Sequence, residues 1–234
     1  MRTKPLKILN IPDITWWEPR RNLPLFLQPL QHSTAPCNQC PGYCCVPQGN
    51  VTMVEAVRIS TLLALPLDDV VTHPLISTLD RGLDHSDPQP IPLAEGEVLL
   101  FLRLKRNTCI FLHNVGNRGF CSIYAARPGI CRIYPFHVEY DGVGQRVGNE
   151  SLCPVKWVQD DALRSHVATE MERWKKDERA EISLLKAWRA DAGEDRSWNA
   201  FYRFSVHKLQ RHLGINAEDV LRPTRPRRLG QATQ

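Results

Sequence analysis

Four of the eight cysteines in this chain fall within nine residues, in the run CNQCPGYCC. These four are Cys37, Cys40, Cys44 and Cys45. The other four are spread over the middle of the chain, as Cys109, Cys121, Cys131 and Cys153. A thiolate is a soft, anionic ligand, and a C-x-x-C loop directs two thiolates at one point in space. The run therefore predicts a metal site more strongly than the sequence predicts any other feature.

Disulfide bonds are the competing use of so many cysteines. The N-terminus, MRTKPLKILNIPDITWW, has no uninterrupted apolar segment and no small-residue cleavage site, so it does not resemble a signal peptide. The longest apolar stretches are far shorter than the ~20 residues that a membrane-spanning helix needs. We therefore expect a cytoplasmic protein without a membrane span, in which clustered cysteines are more often ligands or catalytic groups than cystines.

Length and charge define the class of protein. At 234 residues with 42% hydrophobic residues, the chain can bury a full core without disulfides. The formal charge of +5 is mild, and part of it comes from the tail RPTRPRR, which contains no acidic residue. Such a tail could contact RNA, DNA or anionic lipid. Because no aromatic residue interleaves with its arginines, a solvated end is the favoured interpretation, and we do not expect nucleic-acid binding.

Helices are expected on both sides of the middle region. Thr52 and Glu55 form a capping box at the start of an apolar-periodic run, which predicts a helix over about 54–65. From about residue 160, apolar residues recur at helical spacing and predict a long amphipathic helix over 160–192. A further helix is predicted over 198–213.

The middle of the chain is expected to form short hairpins. Residues 97–106 and 109–112 have strand composition on either side of an Arg-Asn turn, and 136–140 and 145–148 flank an Asp-Gly turn. The glycines of VGNRG lack the ending of a phosphate loop and are interpreted as another hairpin turn. The Gly, Asp and Pro content of residues 81–93 predicts a loop.

These elements predict an α+β protein with a small cysteine-rich metal-binding core, short β-hairpins and C-terminal helices. We divide the chain into four regions. They are an extended N-terminal lead-in over 1–34, a cysteine-cluster metal-binding domain over 35–157, a helical C-terminal region packed on it over 158–214, and a basic, disordered tail over 215–234.

Residues beside the second cysteine group bear on the charge of a metal site. In CSIYAARPGICRIYPF, Pro128 and Gly129 fix a turn before Cys131. Four thiolates around Zn²⁺ or a [4Fe–4S]²⁺ core carry net negative charge, which Arg127 and Arg132 can offset while they donate hydrogen bonds to sulfur. Solvation at the surface is the alternative for both arginines.

Not every metal-binding residue type is equally well supported as a ligand. His113 and His137 could supply nitrogen, but a single histidine near a strand end is more often structural, so neither enters the predicted ligand set. Adjacent cysteines rarely face the same point. If Cys44 binds the metal, Cys45 is therefore the weakest candidate, and it could serve a second metal or pack as a small apolar group.

The combined pattern resembles the YkgJ-like family of cysteine-cluster proteins, which are described as zinc- or iron-chelating. The family signature is a CxxCxxxCC cluster followed by a cysteine, Y-x-x-R-P, Cys-Arg and Y/F-P. The match covers about residues 35–155 and runs through Cys37, Cys40, Cys44, Cys45, Cys109, Cys121, Tyr124, Arg127, Pro128, Cys131, Arg132, Pro135 and Cys153. We take all eight cysteines as candidate ligands, with Tyr124, Arg127 and Arg132 as the neighbours that support them.

The metal and the biochemical role stay open at this point. A closed four-thiolate zinc site is structural, whereas eight cysteines exceed the need of one tetrahedral site and slightly favour iron, as an iron–sulfur cluster in one centre or two. Three classes of function are considered: a metal-binding module without catalysis, a metalloenzyme such as a redox enzyme or a protein lysine methylase, and an adaptor with a structural metal. Flagellin lysine methylases carry a similar cysteine pattern, but this chain lacks a glycine-rich S-adenosylmethionine loop and the C-x-x-x-C-x-x-C spacing of radical enzymes. The sequence identifies no catalytic residue and no protein partner.

Overall fold

Helices and small antiparallel sheets make up the fold, so the predicted α+β class is confirmed. The computed structural model describes residues 42, 45, 49–79, 88–105, 107–115, 118–123, 126–134, 136–140, 145–149, 161–191 and 193–221. The helices are α1 (Met53–Leu63), α2 (Leu67–Val70), α3 (Gly129–Ile133), α4 (Asp161–Ala190), α5 (Trp198–Leu213) and α6 (Ala217–Leu221). In these residues, no helix combines the length and the apolar character that a membrane crossing requires.

The strands of the described residues pair two by two, each pair antiparallel. The pairs are β1 (Val71–Thr72) with β4 (Phe101–Leu102), β2 (Ile91–Leu93) with β3 (Gly96–Val98), β5 (Leu104–Lys105) with β6 (Thr108–Cys109), β7 (Leu112–Val115) with β8 (Arg118–Cys121), and β9 (Phe136–Tyr140) with β10 (Gln145–Asn149). The hairpins β5–β6, β7–β8 and β9–β10 fall at the three turns predicted from the sequence.

The continuous strand predicted over 97–106 is wrong. The segment is divided among β3, β4 and β5, because each part pairs with a different partner. Only β5 turns back on the next strand, at Asn107, whose φ of 61° places it in the left-handed region that Asn tolerates.

The loop predicted over 81–93 is wrong at its C-terminal end, and residues 81–87 lie outside the described residues. Ile91 and Leu93 are buried on one side of β2, with Pro92 between them. Proline has no N–H to donate to a neighbouring strand. Because β2 pairs with β3 alone among the described strands, its other edge has no strand partner there, and a proline is tolerated.

The hydrophobic core lies among α1, α4 and α5. The predicted capping box starts α1, because Thr52 N donates to Glu55 Oε2 at 3.0 Å and Glu55 N donates to Thr52 Oγ1 at 3.2 Å. Fully buried side chains join the three helices, among them Met53, Ile59, Leu185 and Phe201. The three main predicted helices are confirmed, and the half-buried Cys109 and Cys121 pack at the margin of this aliphatic and aromatic core.

The short helix α6 lies within the stretch predicted as a disordered tail. Ala217 is only 3% exposed, and neighbouring apolar side chains pack on the core, namely Ile215, Val220 and Leu221. The prediction of disorder is therefore wrong over 215–221, because these residues have an apolar surface to cover. Residues 222–234 lie outside the described part of the chain.

Candidate metal centre

Half of the predicted ligand set belongs to the described residues. Cys45, Cys109, Cys121 and Cys131 are all half-buried, and no disulfide joins any two of them. The remaining predicted site residues lie outside the described part, namely Cys37, Cys40, Cys44, Cys153 and the supporting Tyr124. The structure therefore describes the surroundings of the candidate site through these four cysteines and the residues beside them.

The segment after the N-terminal cysteine run is hydrogen-bonded to β4. Leu102 N donates to Gly49 O at 2.9 Å, and Val51 N donates to Leu100 O at 3.0 Å. These two bonds define an antiparallel pairing, in which Gly49 lies opposite Leu102. The residues after Leu102 lead directly into β5 and β6.

This register places Gly49 beside the strand that leads into the hairpin carrying Cys109. In that hairpin, Cys109 pairs with Leu104. The hairpin is attached to the same backbone network, since Ile110 N donates to Arg103 O at 3.1 Å. One cysteine of the second group therefore lies on the element that continues from the partner strand of the N-terminal segment.

Gly42, within the N-terminal run, and Gly49, in the segment that follows it, contact the surroundings of two further cysteines. A Cβ added at Gly49 would lie 3.8 Å from Cys131 Sγ, so the backbone of Gly49 packs beside that thiol. Gly42 has a φ of +88°, and a Cβ added there would lie 2.7 Å from Leu112 Cδ1. Leu112 is the strand partner of Cys121. The run therefore packs beside the strand partner of Cys121, and the segment after it packs beside Cys131.

These contacts fit a composite metal site, although the described residues hold only part of its donor set. No three His, Cys, Asp or Glu side chains within the described ranges are grouped in a way that could hold a metal ion. Thiolates are the donors that zinc and iron–sulfur clusters take, and the described thiols belong to four different segments of the chain. A site shared by both cysteine groups stays a prediction.

A comparison with known protein families agrees with this chemistry. Residues 36–154, just over half of the chain, match the CxxCxxCC family, "Putative zinc- or iron-chelating domain". The chain belongs to this family. The membership predicted from the cysteine pattern is confirmed, and it supports metal binding in general, with zinc or iron as the metal. No curated protein and no solved structure matches the chain.

The helix that carries Cys131 in the CxxCxxCC domain begins against two residues of other helices. Gly129 N donates to Glu55 Oε1 at 2.5 Å. A Cβ added at Gly129 would lie 2.5 Å from Trp174 Cγ, so only glycine permits this approach of α3 to α4. The turn predicted before Cys131 is therefore the start of a short helix, with Pro128 as its N-cap.

Arg132 joins α3 to α4 from a buried position. It is 8% exposed, its Nε lies 2.6 Å from Glu170 Oε2, and its Nη1 donates to Arg127 O at 2.5 Å. Burial lowers the pKa of the guanidinium and the negative charge of Glu170 opposes that effect. Its Nη2 has no hydrogen-bond partner in the described structure. Arg127, half-buried, contributes its carbonyl oxygen, and the predicted hydrogen bonds from both arginines to sulfur stay a prediction.

The two histidines weighed in the sequence lie on different hairpins. His113 pairs with Phe120 in β7–β8, and burial lowers the pKa of its imidazole. His137 pairs with Gly148 in β9–β10. Within the described ranges, neither belongs to a group of metal-binding side chains.

Two buried carboxylates of α4, outside the CxxCxxCC domain, hold α1 in place. Glu181 accepts hydrogen bonds from Met53 N at 3.1 Å and Val54 N at 3.2 Å. Burial raises the pKa of Glu181 to about 7 in spite of these two donors, and burial also raises the pKa of Glu55. The sequence gives no signal for Glu181, because a glutamate on an amphipathic helix reads as a solvated residue and its partners are far away along the chain.

The second carboxylate, Asp177, is 2% exposed and contacts a basic side chain on each of two helices. Its oxygens lie 2.8 and 2.7 Å from Arg58 Nη1 and Nη2, and one of them lies 3.1 Å from His212 Nε2. Burial would raise the pKa of Asp177, but these two partners hold it below its usual range. Asp177 thereby connects α4 to α1 and α5.

Proposed function

We propose that this chain binds iron or zinc through a composite site made by its eight cysteines. The observation that carries the proposal is a pair of contacts, of Gly42 within the N-terminal run with the strand partner of Cys121, and of Gly49 just after the run with Cys131 Sγ. The family described as zinc- or iron-chelating spans both cysteine groups and supports the same chemistry. The cytoplasm, as a reducing compartment, would keep the thiols available for the metal.

An iron–sulfur cluster is the form of metal that we favour within this proposal. Eight thiolates exceed the four that a tetrahedral zinc site takes. Arg132, next to Cys131 in sequence, is buried and paired with Glu170, and its Nη2, which no other described group uses, would donate to a thiolate of the cluster. When bound, a cluster would supply electron transfer, whereas zinc would supply a structural or Lewis-acid centre.

A metalloenzyme, of the redox or protein lysine methylase type, is the second candidate function. The observation that favours it is a cleft beside the proposed centre, whose lining includes Asn50, Glu55, Ile130 and Trp174. Ile130 precedes Cys131, and Asn50 follows Gly49, so a molecule in this cleft would lie close to the cysteine site. Turnover of a substrate by the metal-loaded protein, and its loss with the metal, is the test of this alternative.

Anaerobic purification followed by metal analysis and a visible spectrum tests the main proposal. We expect a brown protein that contains iron and acid-labile sulfide. A colourless protein with stoichiometric zinc would retain the metal site but contradict the cluster. A protein without metal in either preparation, with disulfides between the cysteines detected by mass spectrometry, would contradict the proposal as a whole.

Two serine variants then separate the strongest described ligand from the weakest. Cys131→Ser should lose metal and melt at a lower temperature, because metal-binding free energy contributes to folding free energy. Cys45→Ser makes the same chemical change. Because adjacent cysteines rarely face the same point and Cys44 is the better candidate ligand of this pair, Cys45→Ser should lose the least metal of any cysteine variant. Full metal content and an unchanged melting temperature in Cys131→Ser would remove this residue from the site.

A further inference from the structure

The carboxylate of Glu55 contacts two segments of the chain that bear candidate ligands. Its Oε2 accepts hydrogen bonds from Thr52 N at 3.0 Å and Thr52 Oγ1 at 3.1 Å, at the end of the segment that follows the N-terminal cysteine run. Its Oε1 accepts the 2.5 Å hydrogen bond from Gly129 N, at the start of the helix that carries Cys131. A capping box explains the contacts with Thr52 alone. The contact with Gly129 is additional and joins residues far apart in sequence.

We propose that Glu55 is the positioning residue of the metal centre, since its carboxylate holds the segment between Cys45 and α1 against the start of α3. This inference rests on the proposed function, because it concerns how the cysteine site keeps its shape. Glu55 does not itself bind the metal in this proposal. It acts through Gly129 and Thr52 on the backbone that places the thiolates.

Burial indicates that these contacts are firm. Glu55 is only 3% exposed, and a buried carboxylate is costly unless its oxygens accept hydrogen bonds. Three donors, Thr52 N, Thr52 Oγ1 and Gly129 N, meet that need. The ring of Trp174 also packs against Gly129 and limits how closely α3 can approach α4. The start of α3 is therefore held by contacts with both α1 and α4.

The position of α3 determines where Cys131 stands relative to the N-terminal segment. Cys131 Sγ lies next to the backbone of Gly49, which is three residues before Thr52 in the sequence. Metal–thiolate bonds tolerate deviations of only about 0.2 Å, so a small displacement of α3 changes whether thiolates from both segments can share one metal. Loss of the Glu55 contacts should therefore weaken metal binding beyond any loss of fold stability.

Cobalt binding by the full-length chain tests the inference, with Co²⁺ as a probe whose visible spectrum reports thiolate number and geometry. The variants are Glu55→Ala, which removes the carboxylate, and Glu55→Gln, which can still accept from Gly129 N but presents an amide to Thr52 N. We expect the Co²⁺ dissociation constant to rise about tenfold or more in Glu55→Ala and less in Glu55→Gln, with altered cobalt spectra in both. Glu55→Gln keeps the test decisive if Glu55→Ala does not fold.

Asp177→Asn is the matched control. Asp177 is an equally buried acid that ties α4 to α1, but its contacts with Arg58 and His212 touch neither α3 nor the cysteine-bearing segment. We expect this variant to melt at a lower temperature and to keep the wild-type cobalt affinity and spectrum. Equal weakening in Asp177→Asn and Glu55→Gln would overturn the positioning role, because it would show general loosening.

The outcomes also separate this inference from the proposed function. If wild-type protein binds Co²⁺ while both Glu55 variants keep its affinity and spectrum, the positioning role is wrong and the metal site stands. If wild-type protein binds no cobalt, zinc or iron, the proposed function is wrong, and the inference fails with it.

Discussion

At the scale of single residues, Gly42 combines two features that each disfavour a side chain. Its φ of +88° lies in the region that glycine adopts freely, and a Cβ would lie 2.7 Å from Leu112 Cδ1, on a residue that is itself buried. We expect Gly42→Ala to lower the free energy of unfolding by roughly 1–3 kcal/mol and to lower the metal content, measured by urea unfolding and metal analysis.

Gly193→Ala is the control for that change. Gly193 is exposed in the turn between α4 and α5, and the nearest atom to an added Cβ is a side-chain oxygen of Asp191 at 3.6 Å. We expect stability within about 0.5 kcal/mol of wild type and unchanged metal content. Equal behaviour of the two variants would show that the contact between Gly42 and Leu112 does not shape the site.

Glu181 should make the stability of this protein depend on pH near neutrality. Its pKa rises from an ordinary 4.5 to about 7 because burial penalises the carboxylate. The folded state then binds more protons than the unfolded state between these values, so the contribution is fully present below about pH 4.5 and is lost as pH rises through about 7. From pH 5 to 8, wild type should lose up to about 3 kcal/mol through this group.

Glu181→Gln isolates that contribution. The amide does not titrate, and it retains one acceptor for the N–H groups of Met53 and Val54, at a pH-independent cost of about 1 kcal/mol. We expect the stability difference between wild type and variant, measured by urea unfolding at each pH, to shrink or reverse as pH rises. Because the thiols titrate alike in both proteins, a difference that stays constant from pH 5 to 8 would contradict the raised pKa.

At the scale of elements, the docking of α3 on α4 depends on a close approach at Gly129. An added Cβ would lie 2.5 Å from Trp174 Cγ and 2.6 Å from its Cδ1. We expect Gly129→Ala to lower the free energy of unfolding by roughly 1–3 kcal/mol, because it forces the ring out of place.

A double-mutant cycle with Trp174→Ala checks the cause. Removing the ring also removes the clash, so Gly129→Ala should cost much less in the Trp174→Ala background than in wild type. Additive losses of stability would show that the strain has another source. Unfolding by urea measures all four proteins of the cycle.

The elements differ in how far the sequence could predict them, for a physical reason. Thr52 and Glu55 are close in sequence, and α1, α4 and α5 carry local apolar periodicity, so their starts and faces follow from short segments. The division of 97–106 into three strands does not, because β1, β2 and β6 each select one part of it. Such pairing energy belongs to distant segments and leaves no local pattern.

The candidate site shows the same limit. Cysteine spacing and the Tyr-x-x-Arg-Pro pattern were enough to predict the family and the ligand types. The second role of Glu55 and the role of Glu181 could not be predicted, since their partners are 74 and 127–128 residues away. Residues that hold a site together are visible in sequence only when their partners are near.

At the scale of the whole molecule, α4 lies outside the CxxCxxCC domain and yet holds its cysteine-bearing parts. Residue by residue, it contacts α3 through Trp174 and Glu170 and contacts α1 through Asp177 and Glu181. A second apolar cluster, made of Ile133, Phe136, Val167 and Met171, fills the space between α3, β9 and α4. The buried contacts of the cysteine domain therefore extend past its family boundary at residue 154.

Truncation tests whether the cysteine domain needs α4 in order to fold. A chain that ends at residue 157 keeps all eight cysteines but loses every α4 contact, which leaves the buried Glu55 and the apolar side of α1 without cover. We expect it to show no cooperative unfolding transition, with or without metal, and to be cleaved rapidly in limited proteolysis. A chain that ends at residue 221 removes only the basic tail and should keep the wild-type melting temperature and metal content. A stable, metal-loaded 1–157 fragment would show that the cysteine domain folds without α4, because its metal alone then supplies the missing stability.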